Sequence, residues 1–224
     1  MTIWGRKSTT TDTDPGLLEG LRLYDAGDFA GSVKFLLTKT RTGDPFAAFK
    51  LANALFEIGQ VRASIAYWEL AISWGSNDSF NNLGNRYKDL GFLEKAYELY
   101  EKGAQGGSDD AMHSAGVLAF DLEQFDDSRY WLEKGTEAGN PRCSGVLGKN
   151  LHDLGRTEEA IEVLKQGMEQ TSLSSYLQLA LIYHEQGDAA LARETLLRAP
   201  TKDEIEHREN HLLIYVEQLL AAIR

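Results

Sequence analysis

Apolar and polar residues follow the spacing of amphipathic helices along much of the chain, in short segments separated by glycine. In residues 80–90 the apolar or small positions that share one helical stripe are Phe80, Leu83, Gly84, Tyr87 and Leu90. A second stripe follows Gly91 and consists of Ala96, Leu99, Tyr100 and Gly103. Two helices of about 13 residues that are joined at a glycine predict an antiparallel helical hairpin.

This hairpin pattern returns every 32 residues. The turn position is occupied by Gly27, Gly59, Gly91, Glu123, Gly155 and Gly187. Seven residues earlier, where two helices must approach closely, the small residues are Gly20, Ala52, Gly84, Gly116, Gly148 and Ala180. Because one hairpin cannot bury its apolar stripe alone, the pattern predicts an all-α solenoid of six stacked hairpins over residues 13–200.

Each repeat opens with a residue type that caps helices. The predicted N-caps are Asp12, Asp44, Ser76, Ser108, Asn140 and Ser172. Their side-chain oxygens can accept a hydrogen bond from an unpaired N–H of the first helical turn. The caps therefore mark where the first helix of each hairpin begins.

The two ends of the chain break the period. Residues 1–12 are polar and threonine-rich, which predicts a mobile tail. Thr201 and Glu204 form a capping-box pattern, and the apolar stripe that follows is Ile205, Leu212, Val216, Leu219 and Ile223. We expect one long helix over residues 201–224 that closes the stack, with dimerisation through this helix as the alternative.

Composition narrows the classes of partner and compartment. The formal net charge is -11 and lysine and arginine do not cluster, which argues against binding nucleic acid and favours a basic or neutral partner. No apolar run approaches the roughly 20 residues of a membrane span, and the N-terminus lacks the apolar core of a signal peptide. The single cysteine excludes an internal disulfide and suits a reducing compartment. We expect a cytoplasmic protein.

The residues Leu83, Gly84, Tyr87, Gly91, Ala96 and Tyr100 resemble the pattern of a tetratricopeptide repeat. The joints GAQGGSDDAM and GTEAGNPRC resemble those of the related Sel-like repeats. The resemblance implies a right-handed superhelix of helical hairpins that binds a peptide or protein partner in a concave groove. Two features depart from the tetratricopeptide pattern: the period is 32 instead of about 34, and the proline that often ends the second helix is absent.

The resemblance also assigns a groove lining, on the stripe opposite the buried one. The residues at those positions are Phe49, Asn53, Phe56, Asn81, Asn82, Asn85, Lys88, His113, Phe120, Lys149 and His152. Asparagine suits this role because its amide both donates and accepts hydrogen bonds, as a peptide unit does; the alternative is that Asn53 and Asn85 are only solvated. The family's carboxylate clamp has basic residues where this chain has Phe49, Asp110 and Ser114, so capture of an acidic C-terminal tail is not expected.

One acidic residue recurs in every repeat. The acidic ladder consists of Asp25, Glu57, Asp89, Asp121, Asp153 and Glu185. It has two interpretations that the sequence leaves open. The carboxylates either serve the turn or cap the second helix, or they line the groove edge and attract a basic segment.

Candidate catalytic chemistry is sparse. His207 and His211 are one helical turn apart and could chelate zinc, but no further ligand pattern completes a site. Cys143 shares its repeat position with small residues, which indicates packing, and no phosphate loop or nucleophile motif is present. We therefore expect a non-catalytic scaffold without a metal or cofactor, with a self-associating structural protein and, last, a metal-dependent enzyme as alternatives.

Overall fold

The computed structural model describes residues 14–201, 204 and 207–223. These residues form thirteen α-helices and one 3₁₀ helix and include no β-strand, which confirms the all-α class. They fall into two compact units that meet in sequence between Gly106 and Gly107. The predicted tail, residues 1–12, and the predicted cap Asp12 lie outside the described residues.

The first unit contains three of the predicted hairpins. Its helices are α1 (Pro15–Asp25), α2 (Phe29–Thr40), α3 (Pro45–Glu57), α4 (Val61–Ser73), α5 (Asp78–Asp89) and α6 (Leu93–Gln105). Within each hairpin the first helix packs on the second, and consecutive hairpins join through α2 with α3 and through α4 with α5.

The second unit contains three further hairpins and a C-terminal segment. Its helices are α7 (Asp109–Asp121), α8 (Phe125–Glu137), α9 (Pro141–Asp153), α10 (Thr157–Glu169), α11 (Leu173–Glu185), α12 (Ala189–Leu197), the 3₁₀ helix (His207–Leu212) and α13 (Leu213–Ala222). One apolar core joins Leu132 of α8 with Leu147 of α9 and Leu164 of α10.

The hairpin turns are built on residues with left-handed backbone. At Gly91, φ is 81°, its N–H donates to the carbonyl of Lys88, and the N–H of Phe92 donates to the carbonyl of Tyr87, both at 2.9 Å. These two bonds are the Schellman motif, which closes a helix through a residue in this conformation. Glu123 takes the same place in the fourth repeat with a φ of 60°, although its Cβ disfavours that region.

The recurrent small residues permit close approach between the helices of one hairpin, as predicted. A Cβ at Gly84 would lie 2.5 Å from the ring of Tyr100, and one at Gly148 would lie 2.4 Å from the side chain of Leu164. Such distances are too short for any side chain. The small position in the first helix therefore makes room for the large position in the second.

Four of the predicted caps are confirmed by hydrogen bonds to first-turn amides. They are Asp44, Ser108, Asn140 and Ser172. The first helix instead begins after Asp14, which accepts from Gly16 and Leu17, because Pro15 occupies the first helical position. The prediction for Ser76 was wrong: α5 begins at Asp78, and the Ser76 hydroxyl lies 2.9 Å from that of Ser79.

The buried stripe of the third repeat is shorter than predicted. Leu83 and Gly84 of α5 are buried, and Tyr100 of α6 is 1% exposed. Leu90, which was expected on this stripe, is 65% exposed, because it is the C-cap residue and lies beyond the last helical turn. Phe80 and Tyr87 are half-buried.

The C-terminal segment is not one continuous α-helix, since a 3₁₀ helix precedes α13. The predicted Thr201 and Glu204 contact forms: the Glu204 carboxylate accepts from the Thr201 N–H and hydroxyl, each at 2.8 Å, and the backbone hydrogen bond lowers the pKa of Glu204. Val216 and Ile223 of the predicted stripe are buried against α11 and α12. Ile205 lies outside the described residues.

Candidate functional site

The groove residues that the sequence assigned lie on the first helices of their hairpins. In the first unit, Phe49, Asn53 and Phe56 lie on α3, and Asn81, Asn82, Asn85 and Lys88 lie on α5. All of these are half-buried except Lys88, which is exposed. In the second unit, His113 and Phe120 lie on α7, and Lys149 and His152 lie on α9.

Asn53 is the centre of a hydrogen-bond network in the first unit. Its Oδ1 accepts from the indole N–H of Trp68 at 2.8 Å and from Nδ2 of Asn82 at 2.7 Å. Its side chain also hydrogen-bonds Tyr24, whose pKa is raised, chiefly by burial. The Oδ1 atom of Asn53 is therefore hydrogen-bonded within the chain and not only solvated.

Asn85 makes the equivalent contact one repeat later. Its Oδ1 accepts from the Tyr100 hydroxyl at 2.6 Å, as Asn53 accepts from Trp68. Burial raises the pKa of Tyr100, so this hydroxyl keeps its proton and can donate. Within the described chain, no residue accepts a hydrogen bond from Nδ2 of Asn85. Asn85 thus presents an oriented pair of N–H donors on a half-buried face.

Two cations beside these asparagines were missed by the sequence analysis. The Nζ of Lys50 lies 4.6 Å from the ring centroid of Tyr24 and 5.7 Å from that of Phe46, and burial lowers its pKa. The guanidinium of Arg86 lies 4.4 Å from the ring centroid of Phe56 and pairs with Asp89. The apolar periodicity of the sequence predicts neither contact, because each cation lies over an aromatic ring that comes from another helix or from the preceding turn of its own helix.

Asn81 differs from its neighbour Asn82 in its hydrogen bonding. Its Oδ1 is buried and has no hydrogen-bond partner in the described structure. An unpaired buried oxygen is unfavourable, and water cannot reach this atom. Asn81 therefore offers no accessible acceptor to a ligand.

The assigned residues of the second unit are largely engaged by other side chains. Lys149 Nζ lies 2.5 Å from Asp153 Oδ2, and His152 lies 3.0 Å from the Thr157 hydroxyl through Nδ1 and 2.9 Å from Glu185 through Nε2. Phe120 packs against Phe125, with ring centroids 5.3 Å apart. His113 is half-buried. Lys149 and His152 of α9 are therefore both engaged by acidic side chains of the same unit.

The acidic ladder closes the first helix of every hairpin, because each member is the last residue of its helix. The cap of the second helix lies three residues later, where Asp28 and Asp188 accept from backbone amides. The interpretation as a second-helix cap was therefore wrong. Asp89, Asp153 and Glu185 pair with Arg86, Lys149 and His152, whereas Asp25, Glu57 and Asp121 have no ion pair within the described residues.

A metal centre finds no support in the part of the chain that the structure describes. No group of three histidine, cysteine or acidic residues there could hold an ion. His211 is exposed, and the side chain of His207 is not among those that the structure describes. None of the described helices is long and apolar enough to cross a membrane.

Comparisons with known proteins agree with this fold. The family model "Tetratricopeptide repeat" matches residues 142–170 and 173–199, which coincide with the hairpins α9–α10 and α11–α12. No curated protein sequence matches the chain.

Several solved structures share the fold at low identity. A Sel1 repeat protein from Oxalobacter formigenes has a TM-score of 0.70 and 20% identity, over 94% of this chain and 88% of that one. The protective antigen c5321 of uropathogenic Escherichia coli, which displays an SLR fold, has a TM-score of 0.69 and 19% identity, over 93% of this chain and 48% of that one.

YrrB, described as a TPR protein with an unusual peptide-binding site, has a TM-score of 0.51 and 18% identity, over 85% of this chain and 97% of that one. Residues 142–170 and 173–199 thus match the tetratricopeptide repeat, and the described chain has the all-α fold shared by tetratricopeptide and Sel1-like repeat proteins.

Proposed function

We propose that this protein is a non-catalytic scaffold that binds an extended segment of a protein partner along the face of α3 and α5. The observation that carries this proposal is the Asn85 amide, whose oxygen is held by Tyr100 and whose N–H groups have no acceptor in the described chain. A backbone carbonyl of a bound segment is the acceptor that these donors fit. YrrB, a similar structure, is a peptide-binding protein by its description.

The face is arranged before any ligand binds. The Tyr100 hydroxyl fixes the Asn85 amide, and the network of Trp68, Asn53 and Asn82 fixes the helix beside it. Little conformational entropy is then lost by the scaffold on binding, which favours affinity. In this role Asn53 supports the face and Asn85 contacts the ligand, with the half-buried ring of Phe49 available for apolar contact.

The charges near this face favour a neutral or basic segment. Arg86 is paired with Asp89, and Lys50 is covered by the rings of Tyr24 and Phe46. Glu57 is exposed and has no ion pair within the described residues. A lysine or arginine of the partner would meet this free carboxylate without displacing an existing pair.

The substitution Asn85→Asp tests the proposal. It keeps an oxygen for the Tyr100 hydroxyl and removes both N–H donors, so the fold is retained while the ligand carbonyl loses its partner. The new carboxylate would also attract lysine and arginine, so the comparison is made on peptides without basic residues. On an array of such random peptides, we expect bound sequences to lose affinity about 10-fold, which corresponds to one hydrogen bond worth about 1.4 kcal/mol.

Gln105→Glu is the matched control. It adds the same charge at an exposed position of α6, on the second helix of the hairpin, and should leave binding unchanged. A peptide profile that is the same for Asn85→Asp and the unaltered chain, with circular dichroism confirming the fold of both, would reject the proposed role of this face.

Self-association is the alternative function, and one observation favours it. On α13, Ile214 is 55% exposed and Tyr215 is 54% exposed, although the opposite side of the helix is packed against α11 and α12. Light scattering of the full chain and of the double variant Ile214→Ser, Tyr215→Ser distinguishes the two functions. A dimer that the double variant loses would support self-association through this helix.

A further inference from the structure

Glu209 of the 3₁₀ helix is a fully buried carboxylate in the second unit. It is 0% exposed and is the one charged side chain among the buried residues of the described chain. Its Oε2 accepts from the backbone N–H of Leu173 and its Oε1 from that of Ser174, each at 2.9 Å. These amides belong to the first turn of α11 and have no partner within their own helix.

Within the described residues, the charge of Glu209 is balanced by this helix end. No ion pair joins Glu209 to a basic residue within the described chain. The N-terminus of α11 carries partial positive charge, which favours an anion at this position. The Ser172 hydroxyl lies 3.5 Å from Oε1 and also hydrogen-bonds the carbonyl of Pro141. Glu209 therefore fills a carboxylate site that α11 provides.

We define the strap as residues 207–223, the 3₁₀ helix and α13 with its C-cap residue. Glu209 holds its first half, and its second half is held by apolar contacts: Val216 and Ile223 are buried with Leu173, Leu177 and Leu196. The strap is thus attached at one end by a buried charge and at the other by an apolar patch. Loss of the carboxylate would leave two amides unpaired and release the first half.

We propose that the strap is exchangeable: Glu209 latches it onto its own chain, and once released it is replaced by the strap of a second copy. A second copy carries the same carboxylate and the same apolar stripe, so it fits this site without any new complementary surface. Residues 198–206 connect α12 to the strap and reach up to about 30 Å when extended. A cavity of about 260 Å³ adjoins Glu209, and its lining includes Thr136, Gln170 and Thr171.

A peptide competition tests the exchange on the full-length chain. The probe is a fluorescent synthetic peptide of residues 201–224, added to the Glu209→Gln variant and to the unaltered chain. We expect the variant to bind the peptide at least about 10-fold more tightly, because its own strap no longer occupies the site. A peptide with glutamine in place of Glu209 should lose this advantage.

Glu217→Gln is the matched control, since it removes the same charge from an exposed position of α13. Equal peptide binding by Glu217→Gln and Glu209→Gln, or equal binding of the two peptides, overturns the proposal. So does a Glu209→Gln variant that binds the peptide no better than the unaltered chain.

Hydrogen exchange reports on the latch directly. The amides of Leu173 and Ser174 should exchange at least about 10-fold faster in Glu209→Gln, while that of Leu179, in the middle of α11, should be unchanged. Unchanged rates at Leu173 and Ser174 overturn the latch. If Leu179 also exchanges faster, the whole helix is destabilised, and the measurement is repeated on Glu209→Asp, which keeps the charge but has a shorter side chain. Faster exchange at Leu173 and Ser174 with an unchanged rate at Leu179 then supports the latch, and unchanged rates at Leu173 and Ser174 overturn it.

Discussion

The hydroxyl of Tyr100 donates a hydrogen bond of 2.6 Å to Oδ1 of Asn85, and Trp68 donates one of 2.8 Å to Asn53 at the same two repeat positions. In both hairpins a large ring on the second helix fixes an amide on the first. Other hairpins have aliphatic residues at the ring position, as in Leu132 and Leu164, and make no such bond. The second and third repeats therefore differ chemically from the rest within a common fold.

Replacing Tyr100 with phenylalanine should weaken the first unit slightly. The ring still packs against Gly84, but the Asn85 oxygen loses its donor. Since Asn85 is half-buried, water can partly replace the hydroxyl, and we expect the free energy of unfolding to fall by about 1 kcal/mol. Urea denaturation followed by circular dichroism measures the change. Tyr130→Phe, at a residue that is 52% exposed, should produce no comparable loss.

The same hydroxyl should make stability depend on pH in the alkaline range. Burial raises the pKa of Tyr100 above its ordinary value of 10.0, so the folded chain keeps this proton at a pH where the unfolded chain loses it. The resulting contribution is fully present below about pH 10 and declines as the pH rises toward the folded pKa. The stability difference between the unaltered chain and Tyr100→Phe should therefore narrow between pH 8 and pH 11. A difference that stays constant would contradict the assignment.

Asn53→Ala should lower the free energy of unfolding more than a groove substitution that leaves the hydrogen-bond network of Asn53 intact. It removes the acceptor of the Trp68 indole, which is 2% exposed, and of Asn82. A buried donor left unpaired costs about 1–3 kcal/mol, and we expect a loss of stability near 2 kcal/mol. Lys88→Ala on α5 is the control, because Lys88 is exposed and should change stability by less than about 0.5 kcal/mol. Equal stability of the two variants would show that the network contributes little.

The repeat period could be predicted because it depends on local requirements that recur at one phase. Gly91 is needed for a left-handed turn, and Gly84 is needed where the Tyr100 ring approaches. Both requirements are visible as residue types at fixed spacing. The hairpins and their turns follow from them.

The contacts of the candidate site could not be predicted, because they depend on side chains brought together from different helices. Lys50 of α3 meets the ring of Tyr24 on α1. Glu209 reaches an amide at Leu173, 36 residues earlier in the chain. Neither contact repeats with the period, so the pattern contains no signal for it. For the same reason the sequence did not predict that Asn53 accepts hydrogen bonds from Trp68 and Asn82.

Glycine in place of Glu123 should stabilise the turn of the fourth repeat. Glu123 adopts a φ of 60° where the other repeats have glycine, and this conformation costs a residue with a Cβ about 1–2 kcal/mol. Glycine relieves this strain, but its greater conformational freedom in the unfolded chain offsets part of the gain. Glu123→Gly should therefore raise the free energy of unfolding by about 0.5–1 kcal/mol. The reciprocal change Gly91→Glu, at a φ of 81°, should lower stability by a similar amount.

Charge is the competing explanation, because Glu123 lies close in sequence to Asp121, Asp126 and Asp127. Glu123→Gln removes the charge but keeps the Cβ and its strained backbone, so it separates the two effects. If backbone conformation decides, Glu123→Gln should be about as stable as the unaltered chain, and only glycine should stabilise. If Glu123→Gln matches Glu123→Gly in urea denaturation, and its gain disappears at high salt, repulsion between the carboxylates is the cause and the argument from φ is wrong.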